Sequence, residues 1–174
     1  MQPDTFFFPP TKAEHANVVF TILGRALALA VRFESGCRAL SLLIHLKEDP
    51  SPLDSEESLR AFSDRLARTQ LVQLTRDLAD YITPYISVFE VLNQARIARN
   101  EVVHEHALGF EYWAYDESLW DDQLRAIREA VQLIARGDQL VSLVVSEITN
   151  EPLPTVAAIR EYPNTLTKWA CSPE

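Results

Sequence analysis

The chain has 174 residues, room for one domain with a real core but not for two comfortable ones. Hydrophobic residues make up 47% and charged ones 24%, the balance of a soluble globular chain, and its 4 glycines are too few for the turns of a sandwich or barrel. A formal charge of -9 excludes a generally basic nucleic-acid binder; a local basic cleft stays open, because all but three of the 16 basic residues are Arg.

Helices are therefore expected. Residues 1–11, with Pro3, Pro9 and Pro10, read as an extended arm whose Phe6, Phe7 and Phe8 pack on the domain or on a second subunit. No basic region followed by an apolar run occurs there, so no signal peptide is expected. A first helix is predicted from about Lys12 to Lys47. Val19, Ala26, Phe33 and Leu40 repeat every seven residues, and Leu23, Ala30, Cys37 and Ile44 form a row four positions on, together a narrow packing seam. Gly24 and Gly36 each cost about 1 kcal/mol of helix propensity, which predicts close helix contact or bending. Cys37 reads as a small hydrophobe in that seam. With Cys171 the only other cysteine, no disulfide framework is expected, which suggests a reducing, cytoplasmic setting. The longest apolar stretch, Val18 to Val31, is broken by Arg25 and too short to span a bilayer.

A second helix is predicted from Asp54, as N-cap with Glu57 in the capping-box position, to about Ile82. Its stripe of Leu59, Phe62 and Leu66 resumes at Leu71, Leu74 and Leu78 after a five-residue step, so a local irregularity is expected. A third helix opens at Thr83-Pro84 and stops at Gly109, with Phe89, Leu92, Ala95 and Val103 on its inner face. Phe110 to Trp120 reads as a structured connection; Tyr112, Trp113 and Tyr115 either cap the bundle end or stack bases. The fourth helix spans roughly Ser118 to Thr149, with rows of Leu124, Val131 and Val145 and of Ile127, Ile134, Val141 and Ile148, and a kink at Gly137-Asp138. Residues 151–174, punctuated by Pro152, Pro154 and Pro163, read as a short tail with a helical turn or two around Val156 to Arg160. The expectation is an all-α, up-and-down four-helix bundle over residues 12–150, with an extended N-terminal arm and a short C-terminal tail packing on it.

The chemistry-bearing stretch is Ala95-Arg-Ile-Ala-Arg-Asn-Glu-Val-Val-His-Glu-His-Ala-Leu-Gly109. Arg99 falls within about 20° of the inner-face residue Leu92, where a guanidinium needs a carboxylate or an anionic ligand. Asn100 and His104 share a face, with Arg96 one turn earlier. An alternative is purely structural: Arg99 paired with Glu34 or Glu101, and His104 favoured at a helix end by the dipole. Glu101 and His104 also match half of a di-iron motif, but no second Glu-x-x-His occurs, so neither a metal nor a cofactor is expected.

Arg99-Asn100-Glu101-Val102-Val103-His104 resembles the catalytic motif of the HEPN superfamily, the higher eukaryotes and prokaryotes nucleotide-binding domains. The motif there is Arg, four to six residues, then His, commonly with a polar residue after the Arg. Arg38 and His45 meet the loose pattern too; requiring Asn after the Arg lowers the chance expectation to about 0.03 matches. The likeness extends to the motif's place between the third and fourth helices, and to Phe33-Glu34 and Cys37-Arg38 in the long first helix. It implies a metal-independent endoribonuclease of a prokaryotic toxin–antitoxin or defence system. His104 would be the general base or acid, Arg99 would hold the scissile phosphate and Asn100 would orient either one, with Arg96 and His106 as further substrate contacts. It also implies a homodimer whose two motifs line one cleft, since residues five apart on an α-helix differ by about 140°. A nucleotidyltransferase-like antitoxin is the implied partner. Some toxins of the family carry a Tyr, modified with AMP, two residues after the His; this chain has His106 there, a departure from that control. The competing class is a non-catalytic dimeric helical module, regulatory or nucleotide-binding.

Overall fold

The computed structural model describes residues 14–82, 86–106 and 119–172. The arm, the Thr83-Pro84 start, Gly109 and the Tyr112, Trp113 and Tyr115 connection lie outside them. The described residues are all-helical, without a strand. Helix α1 spans Glu14–Glu48, and after a 3-10 turn at Ser51–Asp54 come α2, Glu56–Arg68, and α3, Leu71–Ile82. Helix α4, Ile86–Asn100, continues into a π-helical turn, Glu101–His106; α5 is Trp120–Thr149 and α6 is Val156–Cys171. None of these helices is long and apolar enough to cross a membrane.

All eight residues of the two seven-residue rows in α1 are buried, and with Ile127, Val131, Ile134 and Val141 of α5 they form the main core. Phe33 meets Gly137 and Gly36 meets Val141, so α1 and α5 run in the same direction where they touch. A Cβ on Gly36 would stand 3.2 Å from Val141, and one on Gly137 would stand 2.8 Å from the Phe33 ring. Gly36 therefore marks the expected close contact. Gly24 does not: nothing lies within 4 Å of where its Cβ would be.

Several expectations need correction. The second helix is two helices. The five-residue step in its stripe is a break at Thr69-Gln70, where Arg38 of α1 donates to the carbonyls of Leu66 (2.6 Å) and Thr69 (3.2 Å), the first of which also accepts from the Thr69 N–H at 3.1 Å. Its N-cap is Ser55, not Asp54: the Ser55 hydroxyl accepts from the Ser58 N–H at 3.1 Å, while Asp54 closes the 3-10 turn. Phe89, assigned to the inner face, is 42% exposed. Finally, α5 passes unbroken through Gly137-Asp138. Gly137 lets Ala95 and Phe33 approach, and Asp138 is buried by design, bound by Arg32 Nε at 3.2 Å and by the Tyr162 hydroxyl. Burial, with the Asp138 carboxylate beside it, pushes the Tyr162 phenol up to about 12, which keeps its proton for that bond.

Those contacts fasten α6, the largest departure from expectation. In place of a turn or two, residues Val156–Cys171 form a 16-residue helix with Pro163 inside it. Thr155 caps its start by accepting from the Ala158 N–H, and Arg25 closes its end by donating to the carbonyls of Trp169 (3.0 Å) and Ser172 (2.9 Å). A proline in a helix deprives the carbonyl four residues earlier of its donor. That carbonyl belongs to Ile159, and the Gln139 amide of α5 supplies the missing hydrogen bond. Replacing Gln139 by Leu should lower unfolding free energy by about 1–3 kcal/mol, the cost of leaving a part-buried carbonyl unpaired. Urea titrations of the variant, and of a Gln139→Leu/Pro163→Ala pair that restores the backbone donor, would check it: the second change should recover most of the loss.

Candidate functional site

The π turn is the local feature that shapes the site. On an α-helix Arg99 and His104 would point about 140° apart. A turn whose hydrogen bonds close i to i+5 needs more residues per revolution, which brings a five-residue spacing to roughly 60°. The single straight helix assumed from the sequence is thus corrected: α4 changes pitch immediately after Asn100. Val102 remains buried across the change, while His104 is exposed. The far end of the turn is tied to α5, His106 Nδ1 lying 3.1 Å from Gln123 Oε1.

Arg96, Arg99 and Asn100 come together in a cleft of about 360 Å³ between α1, α4 and the α2–α3 break. Its charged lining comprises Arg38, Arg68, Arg96 and Arg99 against Glu34, four positive groups to one negative, in a chain whose net charge is -9. Glu34 bridges two of the arginines, with Oε1 2.7 Å from Arg38 Nη2 and Oε2 bonded to Arg99 Nη2. Arg99 also donates from Nη1 to Asn100 Oδ1 at 3.1 Å, while its buried Nε has no partner among the described residues. Among the described residues Arg96 is held only by a neutral group, donating from Nε and Nη2 to Asn93 Oδ1 at 3.3 and 2.9 Å. An uncompensated excess of guanidinium groups in a concave site is suited to an anion with several oxygens, such as a phosphate.

The candidate residues are therefore divided. Arg96, Arg99 and Asn100 line the cleft; His104 and His106 do not. Of the two carboxylates considered for Arg99, Glu34 is the one used. Arg38 and Arg68 are site residues that the sequence reading did not assign. Arg38 carried a signal, lying four residues after Glu34 on α1; Arg68 reaches the cleft only because α2 ends there. Among the described residues no three His, Cys, Asp or Glu side chains gather as a metal ion would need.

Burial raises the Glu34 carboxyl, but the hydrogen bond and charge of Arg38 and the charge of Arg99 outweigh it and hold the group below the usual carboxylate range. A depressed folded value means stability that is present above the ordinary carboxylate pKa, about 4.3, and is lost as pH falls through the folded one. Melting temperatures of the wild type and Glu34→Gln should accordingly differ most near neutrality and draw together as pH falls from about 4.3 through the depressed folded value. A gap that stays constant across that range would show that the pair contributes nothing.

The chain matches no family model, no curated protein and no solved structure.

Proposed function

We propose that the chain is a metal-independent endoribonuclease of the HEPN type, built on a four-helix bundle of α1, the α2–α3 pair, α4 with its π turn, and α5. The observation that carries this reading is the change of pitch straight after Arg99-Asn100, at the mouth of a cleft with three positive charges to spare. π turns concentrate at functional sites, and in this reading the change of pitch brings His104 nearer the face that carries Arg99.

In this reading Arg99, positioned by Glu34 and Asn100, binds the scissile phosphate and stabilises the charge growing on it. His104 takes the proton of the ribose 2′-OH, whose oxygen attacks phosphorus; the bond to the 5′ oxygen breaks and that oxygen receives a proton from a second imidazole. Because His104 lies outside the cleft of its own chain, the two imidazoles and Arg99 meet in this reading only where two copies pair, and the working form is a homodimer in which the two motifs face each other. A toxin or defence role, with a nucleotidyltransferase-like antitoxin, follows from the same resemblance.

Purified protein incubated with single-stranded RNA and a chelator should yield fragments ending in 2′,3′-cyclic phosphate and 5′-hydroxyl groups. Fragments with 3′-hydroxyl ends, or intact RNA, would refute the mechanism. One observation favours a second reading, a non-catalytic regulatory or nucleotide-binding module: Arg99 already has an internal carboxylate and His104 faces solvent. Binding of RNA or nucleotide without cleavage would select it.

A further inference from the structure

Away from the arginine cleft, α4 and α6 both pack along α5 yet barely touch each other. The gap is a groove of about 510 Å³ over α5, floored by Val88, Val91, Leu140, Leu143, Ile159 and Pro163. A smaller slot of about 110 Å³, lined by Ser142, Ser146, Pro154 and Ala158, shares Gln139, Leu143 and Ile159 with it. The slot is open because those four side chains are small. The Ile159 carbonyl, which Pro163 leaves without a backbone donor, is already satisfied by Gln139, and the surface left to a ligand is chiefly apolar.

The rim has the opposite character. Arg136 of α5 and Arg160 of α6 both line it and are exposed, and among the described residues no carboxylate lines either compartment. No ion pair with a described residue engages either one, in a chain where acidic groups outnumber basic ones by 25 to 16. An apolar trough with two uncommitted guanidinium groups at one end complements an apolar chain with an anionic head.

We propose that this groove binds a single medium-chain carboxylic acid, its carboxylate between Arg136 and Arg160 and its hydrocarbon tail along α5 into the slot beside Ala158. The groove's volume lies in the range of small-molecule sites, and from Arg136 to Ser146 α5 offers about 15 Å of length. Single chains fit between two helices; a membrane surface does not, which is why a free amphiphile is the occupant. Nothing in this depends on ribonuclease activity.

Decanoate, kept below its micelle concentration, is the probe. Titrated into 15N-labelled protein, it should give saturable shifts at Leu140, Leu143, Ile159 and Tyr162. Arg136→Gln and Arg160→Gln, both surface changes, should each weaken binding about fivefold, as should exchange of decanoate for decanol. Ala158→Leu, which fills the slot, should weaken it about tenfold while leaving affinity for the shorter butyrate unchanged. Absence of saturable shifts, shifts confined to other helices, equal affinity for the acid and the alcohol, or binding only to phosphatidylglycerol vesicles would each overturn the proposal.

Discussion

His104→Ala should lower RNA cleavage by about 10²–10⁴-fold, the usual contribution of a positioned acid or base, with melting temperature almost unchanged. The separation of the two effects follows from where the side chain sits. His104 is exposed on the π turn, so truncating it removes no core packing, and exposed substitutions of this kind stay within about 0.5 kcal/mol of neutral. Arg99→Ala is a different experiment. It too should abolish cleavage, but it also takes from Glu34 one of its two cationic partners and should therefore cost stability. Arg99→Lys keeps the charge but loses the two-pronged geometry that serves Glu34 and Asn100 together, and it should rescue stability better than activity. A gel assay with all three variants beside the wild type decides the matter. Equal cleavage by wild type and His104→Ala would identify a contaminating nuclease and remove the catalytic proposal.

Two glycines in long helices should respond to the same substitution with opposite signs. Gly137→Ala places a methyl against the Ala95 methyl and 2.8 Å from the Phe33 ring, both fully buried, so α4 or α1 must move away from α5. Overpacking of this kind costs about 1–3 kcal/mol and exceeds the roughly 1 kcal/mol that alanine gains in helix propensity. Gly24→Ala meets no such obstacle, since its Cβ would have no neighbour within 4 Å, and it should stabilise by about 0.5–1 kcal/mol. Urea denaturation of the two variants compares them directly. A stable Gly137→Ala protein would mean that the α1–α4–α5 junction is looser than its side-chain contacts imply.

These two glycines also show how far the sequence could be read. Both interrupt strong helical periodicity, Gly24 as a candidate for close contact or bending and Gly137 for a kink; only the positions of neighbouring helices distinguish an open surface from a junction. The site behaves likewise. Arg99 on the inner face beside Leu92 was legible as a cation needing a carboxylate, and Glu34 was one of two candidates. The cleft itself was not, because Arg68 enters it through the break between α2 and α3, and because the π turn leaves no trace in Glu101-Val-Val-His-Glu-His106 that a helical pattern would not also leave.

By itself the sequence determined that the chain is helical and which faces of α1 and α5 are buried. Seven-residue apolar rows are a local code: each helix can satisfy its hydrogen bonds internally and has one stripe to remove from water. What only the tertiary structure decided are features whose cost or gain lies in another segment. Pro163 read as a stop because the missing hydrogen bond was counted within α6; Gln139 of α5 provides it, and the helix continues to Cys171. Gly137-Asp138 read as a kink because it interrupts the local helical pattern; the buried Asp138 carboxylate finds its partners in Arg32 and Tyr162, 106 residues before it and 24 after it along the chain.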